Sequence, residues 1–370
     1  MQIEIYNMTV LNDKLNISLE AVCDSFSSLL WDIEYYKCGA FEVYIAASLR
    51  NIEIFQTGRI LGRDDDKEHF GLIESVELET DAEDGDYLII KGRFLMCLLE
   101  RRIIYPTFNF TKLVSYSQII MSVVQYNACT SGIRKIQGLV VGCSSGTCWN
   151  AETKLQVSYD NLMEWVYTIC EKIGGTANIR LSKTNNEQYE MIFELSQGTD
   201  RSILQEINPH IIFSDRYNNL LSFIYFTDTS VKKNYAYVLG KGEGEKRKRT
   251  TYFEGTEPSS LERYEVYVNA KDISDEEQEN GETKPLSEEE YAELLKEKGK
   301  KSIVPIIMKS ESQIAVQSTQ FQYGVDYFVG DFVTVEHHRF GIRQNKIQLV
   351  GMIESFDRNG RNLTPTFKEE

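Results

Sequence analysis

Apolar side chains fall on every second position again and again through the first hundred residues. That alternation is the pattern of a half-buried β-strand, whose successive side chains point to opposite faces. Leu15, Ile17, Leu19 and Ala21 form one set, Trp31, Ile33 and Tyr35 a second, and Phe41, Val43 and Ile45 a third. Further strands are predicted at Ile52 to Gln56, Ile73 to Leu78 and Tyr87 to Lys91, the last two joined through the hairpin dipeptide Asp84-Gly85. Short strands following one another in this way imply a barrel or a sandwich.

After Gly92 the period lengthens. Phe94 to Ile104 fits a short helix, and Leu113, Tyr116, Ile120 and Val123 share one helical face. Leu162, Val166, Ile169 and Ile173 predict a clearer helix that stops at Gly174-Gly175. Strands near Ile179 to Ser182 and Tyr189 to Leu195, joined by a polar Asn185-Asn186 turn, complete a small α+β module. From Ile211 strands return at Leu221 to Tyr225, Tyr235 to Leu239 and Tyr264 to Val268. They are interrupted by a polar stretch, Ser274 to Lys301, whose acidic part reads as a solvated loop. Within it Ser287 and Glu290 form a capping box, Leu286 and Tyr291 occupy the staple positions, and Gly299 is placed to end the helix. Strands resume at Ile303 to Met308, Phe321 to Tyr323, Phe332 to Val335 and Ile347 to Ile353, before a short polar tail.

At 370 residues the chain is long enough for more than one core. Its net charge of −16 argues against sequence-specific nucleic-acid binding, which depends on clustered Lys and Arg. The first residues alternate rather than forming a basic stretch followed by an apolar block, so neither a signal peptide nor a membrane anchor is expected. The cysteines, Cys23, Cys38, Cys97, Cys129, Cys143, Cys148 and Cys170, are odd in number and sparse, which reads as reduced thiols of a protein made in a cytoplasm.

Each segment that imitates a reactive site lacks the context its chemistry requires. Gly142-Cys143-Ser144-Ser145-Gly146 has the form of a nucleophile elbow, but the residues from Thr147 to Gln156 lack the helical period that such an elbow must lead into. Cys143 and Cys148 have no second Cys or His pair near them to complete a zinc site. Asp64, Asp65 and Asp66, with Glu68 and His69, offer oxygen to a hard cation but suit an exposed turn equally well. Gly240 to Gly244 and the basic run Lys246 to Arg249 resemble a phosphate loop, yet strands flank them where a helix should follow. His337 and His338 are adjacent on a strand and point to opposite faces; His69 and His210 stand apart. No catalytic, cofactor-binding or metal-binding residue is therefore assigned.

Several segments, taken in order, resemble a known family. They are Trp31 to Tyr36 with Gly39 to Glu42, Gly58 to Ile60, Gly71 to Glu74, and Lys91 to Phe94 leading to Leu98 to Ile103. Ser214 to Leu220, Lys233 to Ala236, Arg263 to Glu265 and Tyr323 to Val335 follow. The chain is similar to the siphovirus ReqiPepy-type tail-hub proteins, distant relatives of the myophage baseplate hub and of the type VI secretion spike protein's N-terminal part. The resemblance covers most of the chain, and the acidic insertion falls outside its pattern. It implies a mainly β fold with an α+β insertion: two related β-barrel domains at 1–105 and 211–370 and an α+β module at 106–210, to which the residue pattern itself adds a loop-and-helix insertion at about 274–301. It further implies a non-enzymatic virion structural protein, synthesised in the bacterial host cytoplasm, that sits at the tail tip or baseplate. There a homotrimer would present six barrels, close the tail tube and leave a channel for DNA. Its partners would be a distal tail or tail tube protein, the tape measure protein, and tip or fibre proteins. The acidic excess would line that channel. The alternatives are a tail-associated cell-wall hydrolase or receptor-binding protein, and the hub of a prophage or phage-like injection device.

Overall fold

The computed structural model describes residues 1–11, 14–81, 85–130, 132–183, 189–279, 282–304, 307–314 and 320–369. The Asn185-Asn186 turn and the residues between Asp81 and Gly85 lie outside them. The chain divides into two compact units, Met1–Phe223 with Glu311–Glu370, and Ile224–Ser310.

The first unit begins with β1 (Ile3–Leu11), β2 (Lys14–Cys23), β3 (Ser28–Glu34), β4 (Ala40–Ala46), helix α1 (Leu49–Ile54), β5 (Ile60–Arg63), β6 (Asp66–Asp81) and β7 (Gly85–Phe94). In β3 and β4 the alternation predicted from sequence is the observed one, with Leu29, Trp31, Ile33, Phe41, Val43 and Ile45 all buried. The strand expected at Ile52 to Gln56 is instead α1. Ser48 caps it by accepting the Asn51 N–H at 3.0 Å, a local bond that outweighs the alternation of the following residues. Of the helix expected at Phe94 to Ile104, only α2 (Cys97–Glu100) forms.

The middle residues supply β8 (Phe108–Ser115), α3 (Tyr116–Val124), β9 (Leu139–Ser144), β10 (Glu152–Val157), α4 (Leu162–Ile173), β11 (Thr176–Lys183) and β12 (Tyr189–Ser196). Leu113 belongs to β8 and not to a helix, because Ser115 is the cap whose hydroxyl receives the Gln118 N–H. Asn161 caps α4, and Gly174, at φ +75°, ends it where the sequence predicts. The buried faces of α3 and α4 pack with β11 and β12 and with Tyr6, Phe70 and Leu72 into one apolar cluster.

The rest of the large sheet comes from β13 (Ile212–Ser214), β14 (Leu220–Asp228) and four strands far along the chain. Between them lies the second unit, with β15 (Tyr235–Leu239), β16 (Arg249–Tyr252), β17 (Glu265–Asn269), β18 (Glu276–Glu279), β19 (Glu282–Pro285) and helix α5 (Glu288–Lys300). The capping box is present: the Ser287 hydroxyl accepts the Glu290 N–H at 3.2 Å, and the Glu290 carboxylate accepts the Ser287 N–H at 3.0 Å. Gly299 does not end the helix. It lies inside the last turn, where a Cβ would come within 2.7 Å of Val238, so glycine lets α5 approach β15 closely. Tyr291 and Leu295 complete this unit's own core with Ala236, Val238 and Val268. The acidic stretch expected to be a loop includes an antiparallel pair, β18 with β19.

The chain closes with β20 (Ile307–Ile314), β21 (Phe332–His337), β22 (Ile342–Asp357) and β23 (Gly360–Glu369). The polar tail expected at the end is thus a strand, paired along its length with β22. No strand forms at Phe321 to Tyr323, where a single bridge joins Tyr323 to Tyr327 over two buried rings.

Two strand blocks, one from each end of the chain, share the large sheet, and each repeats the other. The first reads β3-β4-β7-β6-β5 across the sheet and the second β14-β20-β23-β22-β21, so each places its first, second, fifth, fourth and third strands side by side in that order. β6 and β22 are both 16 residues long, and β7 and β23 both 10. The β6–β7 ladder shifts register between Ile73, paired with Gly92, and Ser75, paired with Lys91. The β22–β23 ladder shifts between Leu349, paired with Phe367, and Gly351, paired with Thr366. Both shifts follow the eighth residue of the long strand. β5 meets Leu72 and Gly71 through Ile60 and Leu61, and β21 meets Gln348 and Ile347 through Phe332 and Val333; each pairing then shifts at its next step. An extra residue at a fixed place adds twist at that place, so the two blocks curl alike.

The blocks join where β3 pairs antiparallel with β22, from Glu34 opposite Gly351 to Leu29 opposite Phe356. Trp31, Val43 and Ile90 of the first block and Val335, Leu349 and Met352 of the second fill one common core. Among the described residues the sheet is open: its order starts at β14 and ends at β2 without closing into a barrel.

Candidate functional site

A buried polar cluster sits at this junction. Arg63, at the end of β5, is 1% exposed. Its guanidinium forks onto Asp65 at 2.8 and 2.9 Å and donates to Glu354 of β22 at 3.1 Å. Trp31 and Phe356 lie against its faces, 5.4 and 4.7 Å to the ring centres. Arg361 donates to the other oxygen of Glu354, which is itself 2% exposed. The Trp31 indole N–H donates to Asp66 at 2.9 Å, and Asp66 also accepts from the backbone N–H groups of Glu68 and His69 and contacts the His69 ring at 2.9 Å.

This geometry sets the charge states. Burial works against ionised Asp66, but His69, the indole N–H and Arg63 outweigh it and hold the carboxyl below its usual range. Burial likewise opposes a charged His69, and Asp66 outweighs that too, raising the imidazole. Burial pushes the Tyr35 phenol up.

Two more contacts lock the blocks to the middle module. The Tyr35 hydroxyl accepts the Gly198 N–H at 2.8 Å and donates to the Gly174 carbonyl at 3.3 Å. Asp331, 3% exposed, accepts the Thr199 N–H at 2.7 Å and pairs with Arg201 at 2.9 Å.

The residues singled out from sequence fall in separate places. Ser144 is the last residue of β9, paired with Leu195 after a register shift, and a single 3-10 turn at Cys148–Asn150 lies beyond it in place of a helix. Cys143 is exposed and donates weakly to Glu194; it and Cys148 are both free thiols, as are Cys23, Cys38, Cys97, Cys129 and Cys170. Asp64 accepts the Gln2 N–H, and Asp65 and Asp66 serve the junction, so these carboxylates already have protein partners. Gly240 to Arg249 links β15 and β16, and Arg247 folds back onto the carbonyls of Leu239 and Gly240. His337 lies 3.3 Å from Asp215, while His210 contacts the Gln205 carbonyl. A cleft of about 360 Å³ includes His69, Cys143, Ser145 and Glu194 in its lining, with Asp66 already holding the His69 ring. Among the described residues no three His, Cys, Asp or Glu side chains group as a metal ion requires, and no helix is long and apolar enough to cross a membrane. Sequence reading missed Arg63 and Glu354 altogether, since no local pattern links residues so far apart.

Solved structures of phage tail proteins share this mainly β fold. A tail protein from Neisseria meningitidis MC58 matches it with a TM-score of 0.59 at 13% identity, covering 100% of this chain and 96% of that one. The 43 kDa tail protein of prophage MuSo2 from Shewanella oneidensis also gives 0.59, at 11% identity, covering 100% and 98%. Prophage tail protein gp18 from Listeria monocytogenes EGD-e gives 0.54 at 10% identity, covering 99% and 94%. The chain belongs to the siphovirus tail protein family described as Siphovirus ReqiPepy6 Gp37-like protein, whose model matches residues 3–367. Among curated proteins none matches the sequence.

Proposed function

We propose that this protein is a tail hub subunit: a structural, non-enzymatic part of the tail tip or baseplate whose three copies form a ring closing the distal end of the tail tube. One observation carries the reading. Two blocks with the same strand order and the same register shifts let three chains offer six similar modules, the number that a six-fold tube needs to meet. In this reading 1–105 and 211–370 act as two related β-barrel domains around the module at 106–210, the second carrying the insertion at about 274–301, and each barrel is completed by neighbouring strands. The use of Asp65, Asp66 and Glu354 in the junction favours an architectural role over hydrolysis.

The ring would bind a distal tail or tube protein and the tape measure protein on one side and tip or fibre proteins on the other. The net charge of −16 supports a channel wall that repels DNA and lets it pass. Electron microscopy of the purified protein together with its native mass tests the proposal. A trimer with a central opening is expected; any other symmetry, or a closed centre, overturns it.

A further inference from the structure

The two blocks share a strand order but differ in what lies against their long strands. In the second block β22 has β23 on one edge, while β21 and β3 lie end to end along the other. In the first block β6 has β7 on one edge, and β5 covers only the start of the other. The stretch of β6 that corresponds to the β3-covered part of β22 is Ser75–Thr80. Among the described residues no strand pairs with that stretch on the β5 side. The consequence is visible in exposure. Under β3, Gly351, Met352 and Glu354 are buried and Ile353 is 36% exposed; in β6, Val76 is half-buried, Leu78 is 57% exposed and Ser75, Glu77, Glu79 and Thr80 are exposed as well.

The counterpart of β3 is equally distinctive. By strand order it is β14, the terminal strand of the sheet. Leu29, Trp31 and Ile33 of β3 are buried, whereas Leu221, Ile224 and Phe226 of β14 are 66%, 58% and 49% exposed. A long apolar strand at a sheet edge invites pairing with another chain.

We propose that β14 of one protomer pairs antiparallel with Ser75–Thr80 of the next, repeating between chains the contact that β3 makes with β22 within one. The occupant is a second copy because the fold already contains the same strand-to-edge contact once. The contact is head-to-tail: β3 and β22 do not exchange with β14 and β6 of the same chain, so the operator relating the blocks runs onward to the next subunit and makes a ring when it closes. This deepens the ring reading and rests on it. It also assigns each chain one donating strand and one receiving edge, with backbone hydrogen bonds supplying the attachment.

The test places a photoreactive benzoylphenylalanine at Leu78, an exposed position, and compares cross-linked products with the native mass of the assembly. Expected are a trimer, a band at twice the chain mass, and cross-linked peptides joining position 78 to Leu220–Asp228. A trimer whose cross-links map elsewhere, or that gives none, overturns this interface and leaves the ring standing. A protein that forms no trimer at any concentration overturns the ring reading and this inference with it. As an independent arm, Leu78→Lys and Phe226→Lys should each abolish trimers while leaving circular dichroism unchanged, and normal assembly of either would also overturn the interface.

Discussion

Arg63 and Glu354 stand 291 positions apart in the chain and meet as a buried ion pair, Nη1 to Oε1 at 3.1 Å. Each comes from a different strand block, so the pair reports directly on whether the blocks are joined. Removing one partner of such a pair leaves an uncompensated charge away from water. Arg63→Met is expected to lower the free energy of unfolding by about 3–5 kcal/mol, read from urea denaturation. A loss below about 1 kcal/mol, within the range of an exposed pair, would mean the junction does not depend on it.

Asp66 and His69 give the protein a pH dependence that can be worked out in sign. His69 is raised in the folded state, so its contribution is fully present below the unfolded value near 6.5 and is lost as pH rises through the folded value. Asp66 is lowered, so its contribution is present above the unfolded carboxylate range and is lost only as pH falls through the folded value. Thermal melts should therefore show greater stability at about pH 6 than at about pH 8, and His69→Gln should remove that difference. An unchanged difference in the variant would place its origin elsewhere.

Gly92 of β7 pairs with Phe41 of β4, and a Cβ there would come within 1.9 Å of the Leu72 carbonyl oxygen and 2.7 Å of the Phe41 ring. The nearest obstacle is backbone and cannot rotate away. Gly92→Ala is expected to cost about 3 kcal/mol, the upper end for overpacking, measured by chemical denaturation against Gly58→Ala, whose added Cβ meets nothing within 4 Å but carries the strain of φ +86°.

In the second unit, Ser287→Ala removes the hydroxyl that receives the Glu290 N–H and should cost helix α5 about 1 kcal/mol. Hydrogen exchange at the amides of residues 288–291 reads this locally. The amides of β3 and β4, in the other unit, should keep their rates.

Much of the local structure was legible. The alternation in β3, β4 and β11, the start and stop of α4, and the capping box of α5 are all short-range signals in which neighbouring residues settle the outcome. Ile52 to Gln56 misled because Ser48 offers the backbone a cap that alternation does not register. The β18–β19 pair was hidden by its acidic composition, and β23 by a polar sequence whose strand character comes from pairing with β22. Little of the junction could be foreseen. Arg63 reads as an ordinary charged residue beside three aspartates, and only the fold brings Glu354, Trp31 and Phe356 around it.

In the first block a span of about five residues, Tyr35 to Gly39, joins β3 to β4; in the second the corresponding span between β14 and β20 holds about 78 residues, including α5 and its core. Lengthening a closed loop costs only about 0.6 kcal/mol per doubling, so roughly four doublings cost about 2–3 kcal/mol, and an insert with its own hydrophobic core can offset that. This turn therefore accommodates a long insert with its own core while the ladders on either side keep their register.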